Sequence, residues 1–257
     1  MQDDRLARQL CVAALRVAPA TCGPCAAYHG LRPSLCYLGL ASSIQSSKAF
    51  FRPAFEPAKR TLVCGTAQPF DAISLTASCP EARLIVIDMC RTPLSLIADA
   101  KLPASVQLET CKAERLALRA DSQDAVVADG FLTQQRSREW RVAVMAEWHR
   151  VLRVGASAYA SVTVAAVDGS RPMPDHDNAF IESVERALVR APQELQAAIG
   201  PDIARSVSAY LAAITSLPYR SEGDLVEDAT AAGFTSASTR LLSAVDGYQR
   251  LGLVMTR

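Results

Sequence analysis

No apolar run in the 257 residues approaches the roughly 18 consecutive residues that a membrane-spanning helix needs. The start, Met1-Gln2-Asp3-Asp4-Arg5, lacks the basic stretch and continuous apolar region of a secretory leader. Neither sign of charge is in excess. The formal net charge is +1, so no global field attracts nucleic acid or an anionic membrane. Internal repeats and low-complexity segments are missing as well. Hydrophobic residues make up 50% and charged residues 21%, which excludes disorder and leaves enough apolar material for one substantial core. The expectation is a cytoplasmic globular protein. Its eight cysteines are then mostly free thiols, because that compartment keeps them reduced.

Glycine is scarce where it would be most informative. Thr61-Leu62-Val63 is a short apolar run that ends at Cys64-Gly65-Thr66-Ala67, with one glycine in the turn. Asp71–Ser78 follows as a helix. A second apolar run, Leu84–Ile87, stops at Asp88. Strand, tight turn, helix, strand and acid form the first crossover of a parallel sheet that binds a nucleoside. The glycine lets backbone approach the ligand, and the acid accepts hydrogen bonds from ribose hydroxyls.

The alternation continues downstream. A helix over Pro93–Ala100, a strand over Val106–Thr110 and a buried strand over Asp124–Ala128 ending at Asp129 are predicted. A long helix over Arg138–Leu152 carries Trp140, Val144, Trp148 and Leu152 on one face, and Gly155 is read as its stop. Ser157–Val164 is a fifth strand. Residues 168–222 break the rhythm with a Pro- and Asp-rich loop (Asp168–Asn178) and two helices, Ala179–Ile199 and Asp202–Ile214. A last helix over Asp224–Ala232 stops at Gly233. Thr235–Leu242 and Tyr248–Thr256 close the chain as a hairpin around Asp246-Gly247. The fold class is therefore α/β: a doubly wound, mostly parallel sheet of Rossmann-like type with a C-terminal antiparallel hairpin and an N-terminal helical segment. Two units are expected: residues 1–57 as a helical segment or lid, and residues 58–257 as the ligand-binding domain with a helical insertion at about 168–222.

In the N-terminal segment, Leu6, Leu10, Ala13, Ala14 and Val17 recur at helical spacing, and Pro19 is expected to end that helix. Ser42–Lys48 reads as a polar loop. Phe50, Phe51 and Phe55 are expected to dock the segment onto the sheet. Cys22-Gly23-Pro24-Cys25 has the letters of a redox motif, but no strand precedes it. A structural zinc usually shows two close ligand pairs, and only Cys22/Cys25 is a clear one, with Cys11, His29 and Cys36 nearby; no metal is expected. Tyr28-His29-Gly30 gathers an aromatic and an imidazole that can face a ligand.

Several of these stretches together resemble the class I S-adenosylmethionine-dependent methyltransferases, as a divergent bacterial branch. Thr61–Ala67 looks like that family's first motif, a strand leading into a Gly-rich turn. Leu84–Met89 is similar to the second, whose acid binds ribose and whose next residue packs on adenine. Ala113-Glu114-Arg115-Leu116 with Asp121–Val127 resembles the third and fourth. Glu147–Gly155 resembles the helix and turn before the fifth strand, and Ala231–Phe234 the final helix-to-strand turn. The departures are specific. Thr61, Val63 and Ala67 stand where the family has an acid and two further glycines, which sets Cβ atoms where backbone should approach the ligand. Lys112 stands where the family often has an acid against the adenine amine.

The resemblance implies S-adenosyl-L-methionine as cofactor and methyl transfer to a small-molecule acceptor, with no nucleic-acid or membrane partner and a homodimer compatible with the reading. It implies cofactor contacts from Cys64, Gly65, Thr66, Ala67, Asp88, Met89, Ala113, Glu114, Asp129 and Gly130. Tyr28, Phe131 and His176 would meet the acceptor, and His29 would be the catalytic base, ahead of His149 and His176. A methyltransferase fold doing other chemistry, a nicotinamide-dependent oxidoreductase, and a non-enzymatic protein using the Cys22–Cys25 segment as a metal or redox module stay open at this stage.

Overall fold

The computed structural model describes residues 2–41, 44, 47–56, 59–65, 81–99, 105–134, 137–165, 175–213, 219–245 and 248–257. Thr66, Ala67, the helix expected over Asp71–Ser78 and the turn Asp246-Gly247 lie outside them, as does most of the Ser42–Lys48 loop.

Seven described strands form one sheet: β1 Arg60–Cys64, β2 Arg83–Asp88, β3 Val106–Thr110, β4 Gln123–Asp129, β5 Leu152–Ala165, β6 Ser236–Val245 and β7 Tyr248–Thr256. Their order is β3-β2-β1-β4-β5-β7-β6. Strands β1 to β5 run parallel, and β7 enters antiparallel between β5 and β6. Strands buried on both faces read as continuous apolar runs, which is why β1, β2 and β4 stand out in the sequence. The order reverses between β1 and β4. Ligands of such sheets bind beyond the carboxyl ends of the strands at that reversal.

Two apolar layers cover the sheet. On one face Leu62, Cys64, Val126 and Ala128 pack with Val144, Met145 and Trp148 of the helix Arg138–Val151 and with Leu225 and Ala229 of the helix Glu222–Ala231. On the other, Val63, Val86, Ala125 and Val127 meet Phe50, Phe51 and Phe55 and the helix Arg91–Asp99 through Leu94 and Ile97. The three phenylalanines dock the N-terminal segment as expected. The fit is close at one point: a Cβ on Gly252 of β7 would lie 2.5 Å from the Phe50 ring.

In chain order the described helices are α1 Gln2–Thr21, α2 Ala26–Tyr37, α3 Lys48–Phe51, α4 Arg91–Asp99, α5 Arg138–Val151, α6 Asp175–Val189, α7 Gln193–Ile199, α8 Ile203–Ala213 and α9 Glu222–Ala231. Helices α1 and α2 share a third apolar cluster with α6, α7 and α8, including Leu31, Leu35, Val184, Leu195, Val207 and Tyr210. The N-terminal helices and the insertion thus pack as one helical layer.

Several boundaries differ from expectation. Helix α1 runs through Pro19 to Thr21. A proline near the last turn removes only one ladder bond, and the Cys22 amide still donates to the Ala18 carbonyl at 3.0 Å. The chain leaves the helical path at Gly23, where φ is +53°. The helix expected over Ala179–Ile199 is two, α6 and α7, because Pro192 is extended (ψ 145°) and caps the second. The end of the expected loop Asp168–Asn178 forms the first turn of α6. Gly155 does not stop α5. That helix ends at Leu152, whose backbone turns extended (ψ 145°) to pair with Gln123. Gly155 lies within β5, where the register shifts and φ is +78°, a conformation that favours glycine.

A buried ion-pair cluster ties α5 to α9. Asp228 is 1% exposed and accepts from Arg138 Nε at 2.6 Å and Arg141 Nε at 3.2 Å. The Arg141 guanidinium lies 4.4 Å from the Tyr219 ring centroid. Removing one partner of a buried pair strands the other charge, at ~3–5 kcal/mol. Because Arg138 is 56% exposed, the low end applies. Asp228→Ala is therefore expected to lower stability by ~3 kcal/mol, read as a reduced urea midpoint at unchanged slope. An unchanged midpoint would show that the cluster contributes nothing.

Candidate active site

At the carboxyl edge of the sheet, β1 ends in Gly65. Its φ of +76° suits a residue without a side chain, and its amide donates to the Ile87 carbonyl at 2.9 Å. The turn is also covered: a Cβ on Gly65 would lie 2.6 Å from Cδ2 of Phe131. Phe131, expected against the acceptor, packs on this glycine and on Trp148 at a centroid separation of 6.4 Å. Cys64 has no exposed side chain and lies in the core cluster, so any contact it makes with a ligand goes through backbone. Val63 is 2% exposed and packs among Val86, Val127 and Phe51. Its side chain is committed to that core, which removes the crowding expected from it.

Strand β2 ends in Asp88. Its Oδ1 accepts from the Cys90 amide at 2.8 Å, which fixes the carboxylate at the start of the turn. Met89 follows and is 65% exposed, so its side chain is open to a ligand at this edge. The Cys111 amide donates to the Asp88 carbonyl at 3.1 Å, so the chain after β3 comes to the same edge.

That chain carries Ala113 and Glu114. Ala113 is buried in the core. Glu114 Oε2 is buried and has no hydrogen-bond partner among the described residues. A buried acceptor without a donor costs ~1–3 kcal/mol, so this oxygen is suited to a donor brought by a ligand. The turn is held rigidly from α5. Glu147 Oε2 accepts from the Leu116 amide at 2.8 Å, while Arg150 donates to the Leu116 and Leu118 carbonyls at 3.0 and 2.9 Å. Arg150 also pairs with Glu147, whose carboxyl it holds below the usual range.

Strand β4 ends in Asp129 and Gly130. Asp129 accepts from Ser161 Oγ at 2.6 Å and pairs with Arg250 of β7, which also donates to Ser161 Oγ at 3.0 Å. The Gly130 amide donates to Ser161 Oγ at 2.9 Å. Neither Ser161 nor Arg250 was legible as a site neighbour: the parallel β4–β5 register sets Ser161 opposite Asp129, and the antiparallel insertion of β7 beside β5 brings Arg250 to the pair.

Helix α2 lies over this edge. Tyr28 stacks on Tyr210 of α8 at 5.7 Å with rings 2° from parallel, and Arg32 donates to the Tyr210 hydroxyl at 3.1 Å. Burial pushes the Tyr28 phenol up to about 12, so it is neutral at working pH. His29 is 8% exposed. Burial lowers its pKa, against the pull of the Asp88 charge, so the neutral imidazole is favoured. Its Nδ1 lies 3.4 Å from Cys22 Sγ, and Cys22 Sγ lies 3.2 Å from Cys90 Sγ. Burial pushes the Cys22 thiol up to about 11, the opposite of what a thioredoxin-type thiol requires. His149 sits edge-on to Phe234 at 5.3 Å beneath Gly233, a packing position. The side chain of His176, in the first turn of α6, lies outside the described residues.

The structure thus brings Gly65, Asp88, Met89, Glu114, Asp129, Gly130, Tyr28 and His29 to one edge. Exposed Met89 and the unpartnered Glu114 oxygen fit an adenosine: an apolar side chain for a purine face and an acceptor for an exocyclic amine.

A family model described as a methyltransferase domain matches residues 62–160. No curated protein sequence matches the chain. Among solved structures, a Methanosarcina mazei S-adenosylmethionine-dependent methyltransferase aligns with TM-score 0.51 at 16% identity, over 80% of this chain and 94% of that one. Burkholderia thailandensis 1,6-didemethyltoxoflavin-N1-methyltransferase, with 1,6-didemethyltoxoflavin and S-adenosylhomocysteine bound, gives 0.54 at 16%, over 83% and 76%. Haemonchus contortus phosphoethanolamine N-methyltransferase 2, in complex with S-adenosyl-L-methionine, gives 0.55 at 12%, over 83% of this chain. The chain spans 52% of that protein's length. The matched segment runs from β1 into β5 and is similar to a methyltransferase domain, and the seven-stranded sheet closing as β5-β7-β6 has the Rossmann-like methyltransferase fold.

Proposed function

We propose that the chain binds S-adenosyl-L-methionine at the β1/β2 edge and transfers its methyl group to a small-molecule acceptor in the cytoplasm. The observation that carries this is the buried Glu114 oxygen, unpartnered among the described residues, on the segment that Cys111 ties to Asp88 ahead of exposed Met89. In this reading Asp88 holds the ribose hydroxyls, Met89 packs on the purine and Glu114 takes the adenine amine that Lys112, a donor only, cannot accept. Cys64, Gly65, Thr66, Ala67, Ala113 and Gly130 are assigned the remaining cofactor contacts. Asp129, held by Arg250 and Ser161, faces cofactor and acceptor.

The cofactor supplies an activated methyl on sulfur. The chain's part is to hold the acceptor in line with it and to exclude water. Residues 1–57 and the insertion at about 168–222 are assigned that covering role over the domain 58–257, with Tyr28, Phe131 and His176 assigned to the acceptor. The helical layer shared by α1, α2 and α6 to α8 supports it. For proton removal His29 is the imidazole nearest the edge. With Nδ1 against Cys22, only Nε2 is available to accept. The small-molecule acceptor rests on the near-neutral charge, since a phosphate backbone would call for a basic surface.

Calorimetric titration tests the reading. S-adenosylmethionine and S-adenosylhomocysteine are both expected to bind and NADH is not. Asp88→Ala is expected to weaken both sulfur ligands at least tenfold, since each hydrogen bond to a charged group contributes about 1.5–3 kcal/mol. Binding of NADH alone, or unchanged affinity in Asp88→Ala, would contradict the assignment. Glu114→Gln gives a finer check. An amide can still accept through its carbonyl, so affinity falls several-fold, whereas Glu114→Leu abolishes the contact and loses more than tenfold. Equal affinity in Glu114→Leu and the parent would remove Glu114 from the adenine site.

A further inference from the structure

Beside the carboxyl edge lies a cluster that methyl transfer does not require. Cys22 follows the last residue of α1, His29 is in the first turns of α2, and Cys90 is in the turn between β2 and α4. Their donor atoms, two sulfurs and one imidazole nitrogen, all lie within 4.8 Å of one another. Cys22 Sγ is 3.2 Å from Cys90 Sγ and 3.4 Å from His29 Nδ1. Cys22 and His29 are each 8% exposed, and Cys90 is half-buried. Three ligating side chains converge here from three separate elements, one of them 68 residues away in sequence.

We propose that Cys22, His29 and Cys90 form a zinc site that fastens the N-terminal helices to the turn after β2. Two thiolates and an imidazole are a donor set that zinc prefers, and carboxylate-seeking ions such as magnesium or calcium do not. The spacing agrees. With Zn–S of about 2.3 Å and Zn–N of about 2.0–2.1 Å, tetrahedral angles put two sulfurs ~3.8 Å apart and sulfur and nitrogen ~3.5 Å apart. The sulfur–nitrogen separation already matches, and the two sulfurs need to open by about 0.6 Å, within side-chain rotation. Around the cluster, Thr92 Oγ1 lies 2.9 Å from Cys22 Sγ and 2.6 Å from Thr21 Oγ1, which orients the sulfur from behind. The fourth position is left to water or to Cys25, which lies within charge–charge range of Cys90 and Asp88.

Charge and protons balance simply. Zinc displaces one proton from each of the two thiols to solvent and takes the Nδ1 lone pair of the neutral imidazole. The resulting unit is neutral, which suits a partly buried place beside the Asp88 carboxylate better than two thiolates would. Cys90 is also the residue whose amide donates to Asp88 Oδ1 at 2.8 Å. A metal held by Cys90 therefore stiffens the turn that orients this acid. A ligated Nδ1 leaves Nε2 carrying the imidazole proton, so the base role assigned to His29 above holds only for the metal-free chain, and in the zinc-loaded chain an acceptor must lose its proton to another group or to solvent. The metal site itself does not depend on the cofactor reading.

The purified full chain, reduced and freed of metal with a chelator, is titrated with zinc against a chromophoric competitor. Cobalt(II) is titrated in parallel. One equivalent of zinc is expected, with thiolate-to-cobalt charge-transfer absorption and the intense visible bands of a tetrahedral ion in the cobalt form. Cys90→Ser and His29→Ala are each expected to weaken zinc at least tenfold. Cys36→Ser, on α2 but outside the cluster, leaves it unchanged. X-ray absorption of the zinc-loaded parent chain needs no variant to fold, and it should show at least two sulfur neighbours and one imidazole. No stoichiometric uptake, uptake indifferent to Cys90→Ser, or conversion of Cys22 and Cys90 to a disulfide in place of uptake would overturn the site. Uptake is read without cofactor, so failure to bind S-adenosylhomocysteine in a chain that takes up zinc sinks the methyltransferase reading alone.

Discussion

Strand β1 is paired in parallel on both sides, with β2 and with β4, and that double pairing is the constraint on which the site depends. A parallel sheet must return its chain by crossovers, so all the strands that use them end on one edge. The reversal of order at β1 then opens the crevice at that edge. Gly65, Asp88, Glu114 and Asp129 come from four different chain segments and share an edge for this reason. The sheet's two apolar faces make the arrangement rigid. Leu62, Cys64, Val126 and Ala128 are committed to one layer, and Val63, Val86 and Val127 to the other.

The same commitment explains how a turn with one glycine can serve. Val63 and Cys64 spend their side chains on the core and offer the ligand only backbone. Gly65 is the position where the backbone adopts positive φ and an aromatic ring lies across it. Phe131 fills that space in the structure, so a bound ligand has to share the turn with this ring. Neighbouring elements hold the two acids. The Cys90 amide fixes Asp88, and Glu147 with Arg150 pins the turn that carries Glu114.

Much of the fold was legible because its signals are local. Apolar runs of three to five residues, two of them punctuated by Asp88 and Asp129, gave β1, β2 and β4 to within a residue or two, and the 3.6-residue pattern of Val144 and Trp148 gave α5. Punctuation misled where packing overrode it. Pro19 was absorbed into the last turn of α1, and Gly155 served a shift in β5 rather than a helix end. Pairings across long sequence distances were not legible. Arg250 reaches Asp129 only because β7 inserts beside β5. Cys90 reaches Cys22 only because α1 and α2 fold over the β2 turn, so a search for two close ligand pairs in sequence could not find the cluster.

The central claim is that the Asp88–Met89 turn and the Glu114 carboxylate together recognise an adenosine. Co-crystallisation with S-adenosylhomocysteine tests it most directly. The account predicts ribose hydroxyls on Asp88, the purine on Met89 and the adenine amine within hydrogen-bond distance of Glu114 Oε2. A ligand found elsewhere on the sheet edge, or an adenine whose amine meets only solvent while Glu114 stays unpartnered, would contradict it.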